Sequence, residues 1–338
     1  MPRGPRLDAP GVLHHVVARG IERRPIFRGR PDYEDFVRRL AGLAAAGHWA
    51  VYAWALLPNH VHLLVRTGAR PLGRSMRSLL TGYAGAFNRR HRRAGHLFQN
   101  RYRSIVVEEE PYFLELIRYL HLNPLRAGIV PDLRALARYP YAGHAALLGT
   151  VPRPWQATGE VLGRFASKPG AARGRYRAFV AEGVPLGRRP EFRGGGLVRS
   201  AGGWQAVVAL RRGREAYRAD ERVLGTGAFV EALLREVARH TKARDRAPLR
   251  GVDLGTLAQR IGASLDLAPA MILGRTRARQ AARARQVLAF VWVEHLGRPA
   301  SELARGLGQT RGNVSLAAKR GEEIARPWQG AIPGWCGQ

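Results

Sequence analysis

The sequence predicts an α+β N-terminal domain, with helices against an antiparallel sheet of the ferredoxin-like kind, followed by an all-α domain containing a helix-turn-helix. Three observations lead there. Strand-like and helix-like stretches alternate as β-α-β-β-α-β-α through the first 130 or so residues, helical periodicity alone runs from Gly227 onward, and 338 residues exceed one core of ordinary size. The expected division is 1–138 for the α+β domain, 139–226 for a poorly defined middle segment or linker, 227–326 for the helical domain and 327–338 for a tail.

Taken in order, residues 11–19 (GVLHHVVAR) are apolar and β-branched enough for a strand, and residues 32–46 show helical spacing through Phe36, Leu40 and Leu43. Residues 49–57 and 60–66 read as two strands separated by Pro58-Asn59, a turn signal that makes them an antiparallel hairpin. A long helix follows over 72–92, a strand over 97–107, and a helix over 111–123 with Pro111 in its first turn and Pro124 ending it. The helices of this layer are expected on one face of the sheet. Around the Gly-rich GRRPEFRGGG (187–196) periodicity fades, and it returns over 229–240, 254–261, 275–296 and 300–320.

Charge narrows the function classes. There are 56 Lys+Arg against 25 Asp+Glu, a formal net charge of +31, which calls for a polyanionic partner. No run of about 18 apolar residues exists and the cations spread along the whole chain, so nucleic acid is favoured over a membrane. The one cysteine, Cys336, rules out an intrachain disulfide and a cysteine-based zinc site. Residues 1–8 have no apolar stretch behind them of the signal-peptide type, so a reducing cytoplasm is expected.

His60 and His62 are two apart on a strand, which sends both imidazoles to one face, a start for a divalent-metal site or equally a packed pair. Tyr119 and Asn123 are four apart on a helix, which puts a phenol and a carboxamide on one side. The plain alternative has Tyr119 in the core and Asn123 ending the helix. Tyr83, Phe87 and Phe98 are interleaved with Arg89, Arg90, Arg92, Arg93, Arg101 and Arg103, a mixture that suits single strands, with some of the aromatics required for the core. His14 and His15 alternate in and out of the first strand with no chemistry assigned, and His91 and His121 are structural or substrate-facing. Glu115, one turn before Tyr119, is a helper base or an ordinary helix glutamate.

Four stretches, LPNHVHLLV (57–65), YAGAFNRRH (83–91), GHLFQNRYR (95–103) and RYLHLNPLRAG (118–128), closely resemble the IS200-like tyrosine transposases, most of all the branch associated with repetitive extragenic palindromes. The resemblance covers about 11–130 and implies His60 and His62 as metal ligands, Tyr119 as nucleophile and Asn123 where a polar side chain completes the site, some relatives having Gln there. It implies Mg²⁺ or Mn²⁺, a 5′-phosphotyrosine intermediate and single-stranded or hairpin DNA as substrate. A homodimer and a bacterial, nucleoid-associated location follow as further expectations. The rival readings are a catalytically silent DNA-binding regulator and an initiator nuclease of rolling-circle type.

In the helical half, a helix-turn-helix starting at Ala300 puts Ala304 at the tight crossing, Gly308 at the turn and Val314 in the buried position, with Leu303 and Leu307 between. Thr310 would cap a recognition helix exposing Arg311, Asn313, Ser315 and Lys319 to a DNA duplex. Residues 229–323 resemble the duplex-binding domain of the bacterial replication initiator. Gln309-Thr-Arg-Gly-Asn313 departs from that family's recognition sequence, so its specificity does not carry over.

Overall fold

The computed structural model describes residues 7–68, 70–187, 222–246, 252–328 and 330–336. Five strands form one sheet in the order β2-β3-β1-β4-β5: β1 (Leu13–Arg19), β2 (Trp49–Leu57), β3 (His60–Thr67), β4 (Arg103–Val107) and a two-residue β5 (Val223–Leu224). The first four pair antiparallel, and β5 joins β4 in parallel. The hairpin closes with Leu57 opposite His60, so its loop is Pro58-Asn59 alone.

Helices cover both faces, not one. α1 (Arg30–Ala45) and α2 (Leu72–Arg90) lie over Val16, Trp54, Val61, Leu63 and Val65. On the opposite face α3 (Glu109–His121) buries Phe113, Leu116, Ile117 and Leu120 against Leu13, Tyr52, Leu64 and Ile105. Each such side chain contributes about 1.5–3 kcal/mol when fully buried. Burial along β2, interrupted only by half-buried Ala50, reflects a two-sided sheet, since a strand with one wet face alternates. The chain ends of α1 and α2 are tied by Asp32, which is buried, accepts from the Arg28 N–H and holds the Arg90 and His91 side chains.

The stretch expected to be poorly defined has a structure as far as Gly187. α4 (Asn123–Arg126) and α5 (Leu133–Leu136) lead into α6 (Gly143–Leu148), α7 (Thr158–Gly163) and α8 (Pro169–Glu182), which bury Leu147, Val161, Tyr176 and Val180 beside α3. The intervening backbone seals the edge strand: Leu56 donates to the Tyr141 carbonyl (2.9 Å) and Ala157 to that of Val51 (2.9 Å). A segment whose work is to pair with an edge need not be periodic. The remainder of that stretch, 188–221 with most of the Gly-rich run, lies outside the described residues.

The described chain divides into two compact units, 1–237 and 238–338. The boundary falls within α9 (Gly227–Arg246), whose early residues Val230 and Leu233 pack with Leu7, Val106 and Val223. In the second unit α10 (Leu254–Leu265), α11 (Pro269–Leu273), α12 (Arg279–Phe290, continued by a π turn Val291–His295), α13 (Ala300–Gly306) and α14 (Arg311–Ile324) share one core. The expected tail belongs to that core: α15 (Ile332–Trp335) buries Ile332, Trp335 and Cys336. No helix among the described residues is long and apolar enough to cross a membrane.

α12 and α14 touch backbone to backbone at Gly321, where a Cβ would lie 1.9 Å from the Gln286 carbonyl oxygen. Backbone on both sides leaves nothing that can yield. Gly321→Ala is therefore expected to destabilise the second unit by about 1–3 kcal/mol or more. Thermal unfolding followed by circular dichroism should show a lowered transition, and an unchanged one would disprove the close crossing.

Candidate active site

β3 lies between β2 and β1, and its alternation sends Val61 and Leu63 under α1 and α2 while His60 and His62 point to the α3 side. The two imidazole ring centroids are 5.0 Å apart, with the ring planes at 72°. α3 brings Tyr119 over them, its ring edge-on to His62 with centroids 6.4 Å apart. Tyr119 is 6% exposed, and the Arg126 guanidinium sits 5.5 Å from its ring centre, a cation beside the phenol. The structure thus brings together the three residues on which the expected chemistry depends.

Both histidines are held at Nδ1. For His60 the partner is Asn59 Oδ1 at 2.6 Å, and the Asn59 amide nitrogen donates to the Arg23 carbonyl at 3.0 Å. For His62 it is Nε2 of His15 at 3.1 Å, with the two rings stacked at 5.4 Å. Val17 stands opposite His62 and His15 is two residues earlier on β1, which makes it the diagonal neighbour on the same face. His15, given no chemistry above, therefore belongs to the site. The strand pairing that reveals this is not readable from His15 alone.

Asn123 follows α3 almost without interruption, because Leu122 stays in the helical region and the Arg126 N–H still reaches the Leu122 carbonyl at 2.9 Å. The Asn123 amide nitrogen is buried with no hydrogen-bond partner among the described residues. An amide turned end for end would present its oxygen there, the atom through which a carboxamide binds a cation. Among the described residues no three His, Cys, Asp or Glu side chains converge as a ready-made cluster. Two imidazoles and a carboxamide leave several positions for water and phosphate oxygens, as Mg²⁺ and Mn²⁺ prefer. Glu115 is bound by Arg118 at 2.6 Å, and Arg118 in turn lies over the Phe179 ring, so this carboxylate neutralises a nearly buried cation.

Behind Tyr119, one residue of the same helix anchors it. His121 and His144 both place Nδ1 against the Tyr176 hydroxyl, at 2.8 and 2.7 Å. Burial lowers both histidines, His121 well below its ordinary value and His144 to about 4, so both are neutral at pH 7. A single hydroxyl then donates to one ring and accepts from the other, tying α3 to α6 and α8.

The basic residues divide by what they touch. Arg89, Arg90, Arg92, Arg101 and Arg103 are all exposed, and Arg90 is in addition engaged with buried Asp32. Tyr83 and Phe87 are fully buried core, so neither is a stacking platform for bases. Arg28 and Arg93 lie over the Phe87 ring at 5.7 and 5.9 Å, and with Arg24, Ile21 and Leu97 they line a small cavity of about 90 Å³. Arg24 and Arg28 were missed in the sequence because they lie outside the motif-bearing stretches. In the second unit Ala304 and Val314 are buried, Gly308 has φ +60°, and the Thr310 hydroxyl accepts from the Asn313 N–H at 3.2 Å. Arg311, Asn313, Ser315 and Lys319 of α14 are exposed together.

No curated protein matches the chain. A solved structure described as a REP-associated tyrosine transposase bound to a REP hairpin is similar at 15% identity and a TM-score of 0.37, covering 44% of this chain and 86% of that one. The family described as "Transposase IS200 like" matches residues 10–123, which span β1 to the residue that opens α4. Over those residues the N-terminal domain is similar to the IS200-like transposases.

Proposed function

We propose that the chain is a metal-dependent single-strand DNA endonuclease and strand transferase that forms a 5′-phosphotyrosine intermediate through Tyr119. The observation that carries this is the convergence of His60, His62 and Tyr119 on one face of the sheet, with the Asn123 carboxamide one turn along. His60, His62 and Asn123 would hold Mg²⁺ or Mn²⁺, which supplies charge neutralisation at the scissile phosphate. The Tyr119 phenolate attacks phosphorus, forming a tyrosyl–phosphate bond as the bond to the 3′ oxygen breaks, and that oxygen leaves to take up a proton. The bond energy is kept in the ester, so a second 3′-hydroxyl reverses the step without ATP.

The second unit is assigned to duplex DNA. Its turn, cap and buried positions have helix-turn-helix character, and its exposed α14 side chains are those that reach base edges and phosphates. Single-stranded or hairpin DNA at the first unit and duplex at the second give a protein that is positioned by one form of DNA and cuts another. A homodimer and a cytoplasmic, nucleoid-associated location belong to this reading.

Incubation of the full chain with labelled single-stranded DNA and Mg²⁺ or Mn²⁺ is expected to give a covalent adduct, lost with EDTA. Tyr119→Phe should lower adduct formation by about a thousandfold or more while leaving DNA binding in place. Wild-type adduct levels in Tyr119→Phe would remove Tyr119 from its role. No adduct from the wild type would favour the silent regulator, and repeated cleavage by a second tyrosine would favour the rolling-circle class.

Arg311→Ala should weaken duplex binding roughly 5- to 100-fold and reduce the slope of log K on log salt, while single-strand cleavage stays at the wild-type level. Fluorescence anisotropy with a duplex and a single strand measures both. Equal losses on the two substrates would contradict the separation of roles.

A further inference from the structure

We propose that Asn59 and His15 are positioning residues that fix the tautomers of His60 and His62, so that both rings turn an Nε2 lone pair toward one divalent cation. This rests on the metal-dependent reading above and adds to it the residues that make the pair competent as ligands. A neutral imidazole has one N–H and one lone pair, and only the lone-pair nitrogen can bind a cation. Whatever the protein places at Nδ1 therefore decides whether Nε2 can serve.

For His60 the decision can be traced through three groups. A backbone carbonyl only accepts, so the Asn59 atom 3.0 Å from the Arg23 oxygen is the amide nitrogen. The Asn59 atom 2.6 Å from His60 Nδ1 is then the oxygen, which also only accepts. His60 must donate from Nδ1, and its lone pair is on Nε2. The backbone that supplies the Arg23 carbonyl is held for this purpose in an unfavourable shape: Glu22 and Arg23 have φ of 52° and 60°, the left-handed region that side chains other than glycine seldom adopt. The same loop is stapled to the hairpin turn, with Gly20 donating to the Asn59 carbonyl (2.8 Å) and Ile26 and Phe27 donating to that of Pro58 (2.7 and 3.1 Å). Gly20 is required there, because a Cβ would lie 2.1 Å from the Arg24 carbonyl oxygen.

For His62 the partner is a second imidazole, His15, with Nε2 at 3.1 Å from His62 Nδ1 and only 2% of its surface exposed. Two neutral rings can share that hydrogen bond in two ways. If His15 donated, His62 would have its proton on Nε2 and nothing to offer a cation. If His62 donates, its Nε2 matches that of His60 across the 5.0 Å between the rings. Joint ligation selects the second arrangement, with His15 as acceptor. The pairing also explains why a strand residue without a phosphate or a nucleophile to meet should be buried in the site.

Two measurements on the full-length protein test this. Long-range ¹H–¹⁵N correlation of the metal-free protein labelled in histidine should show a protonated Nδ1 and a pyridine-like Nε2 for both His60 and His62, and a proton on Nε2 of either ring would overturn the assignment for its partner. Mn²⁺ titration followed by electron paramagnetic resonance should show affinity about 10- to 100-fold weaker in His15→Leu and Asn59→Leu. His15→Gln, which keeps an acceptor at similar reach, should recover most of it, with thermal transitions of all variants close to wild type. Unchanged affinity in His15→Leu, or no recovery in His15→Gln, would refute the positioning role. If the wild-type protein took up no Mn²⁺, the metal-dependent reading would fail, while the ring tautomers would still decide the roles of Asn59 and His15.

Discussion

The two-residue turn between β2 and β3 is the constraint from which the site follows. With Leu57 opposite His60, the register of the hairpin is set, and a shift of one residue would send His60 and His62 into the core under α1 and α2. Pairing of β3 with β1 then brings His15 diagonally to His62, and pairing of the turn with the 20–27 loop brings the Arg23 carbonyl to Asn59. One backbone register thus selects the face, the neighbours and the ring nitrogens of both histidines.

Placing a helix on that second face is what turns a sheet into a site. α3 is held by apolar burial along its length and by the Tyr176 hydroxyl shared between His121 and His144 near its end. Tyr119 is two residues from that anchor, and the segment 139–182, whose role the sequence left open, is what supplies it. The buried histidines are neutral at working pH, so the anchor works through hydrogen bonds in an apolar setting, where a bond left unmade is costly.

Much of this was legible in the sequence because it rests on short-range pattern. Period two placed His60 and His62 together, spacing of four placed Tyr119 with Asn123, and Pro58-Asn59 marked the turn. The second unit was legible for the same reason: Ala304, Gly308, Thr310 and Val314 occupy the positions that the local geometry demands of small, left-handed, capping and buried residues. What escaped depends on contacts between distant parts of the chain. His15 is 47 residues from His62, Tyr176 is 55 from His121, and the edge-sealing backbone has no periodicity to detect. Tyr83 and Phe87 are among the aromatics that the core was expected to require, and their burial singles them out where the sequence did not.

The central claim is that the Tyr119 oxygen becomes covalently joined to DNA. It is tested most directly by trapping the adduct, digesting with trypsin and locating the residual nucleotide by mass spectrometry. Arg118 and Arg126 bracket the peptide YLHLNPLR, in which Tyr119 is the one tyrosine, whereas Tyr112 falls in the preceding peptide and Tyr102 in a dipeptide with Arg103. The account predicts the nucleotide mass on the 119–126 peptide, and finding it on the peptide that contains Tyr112 would contradict it.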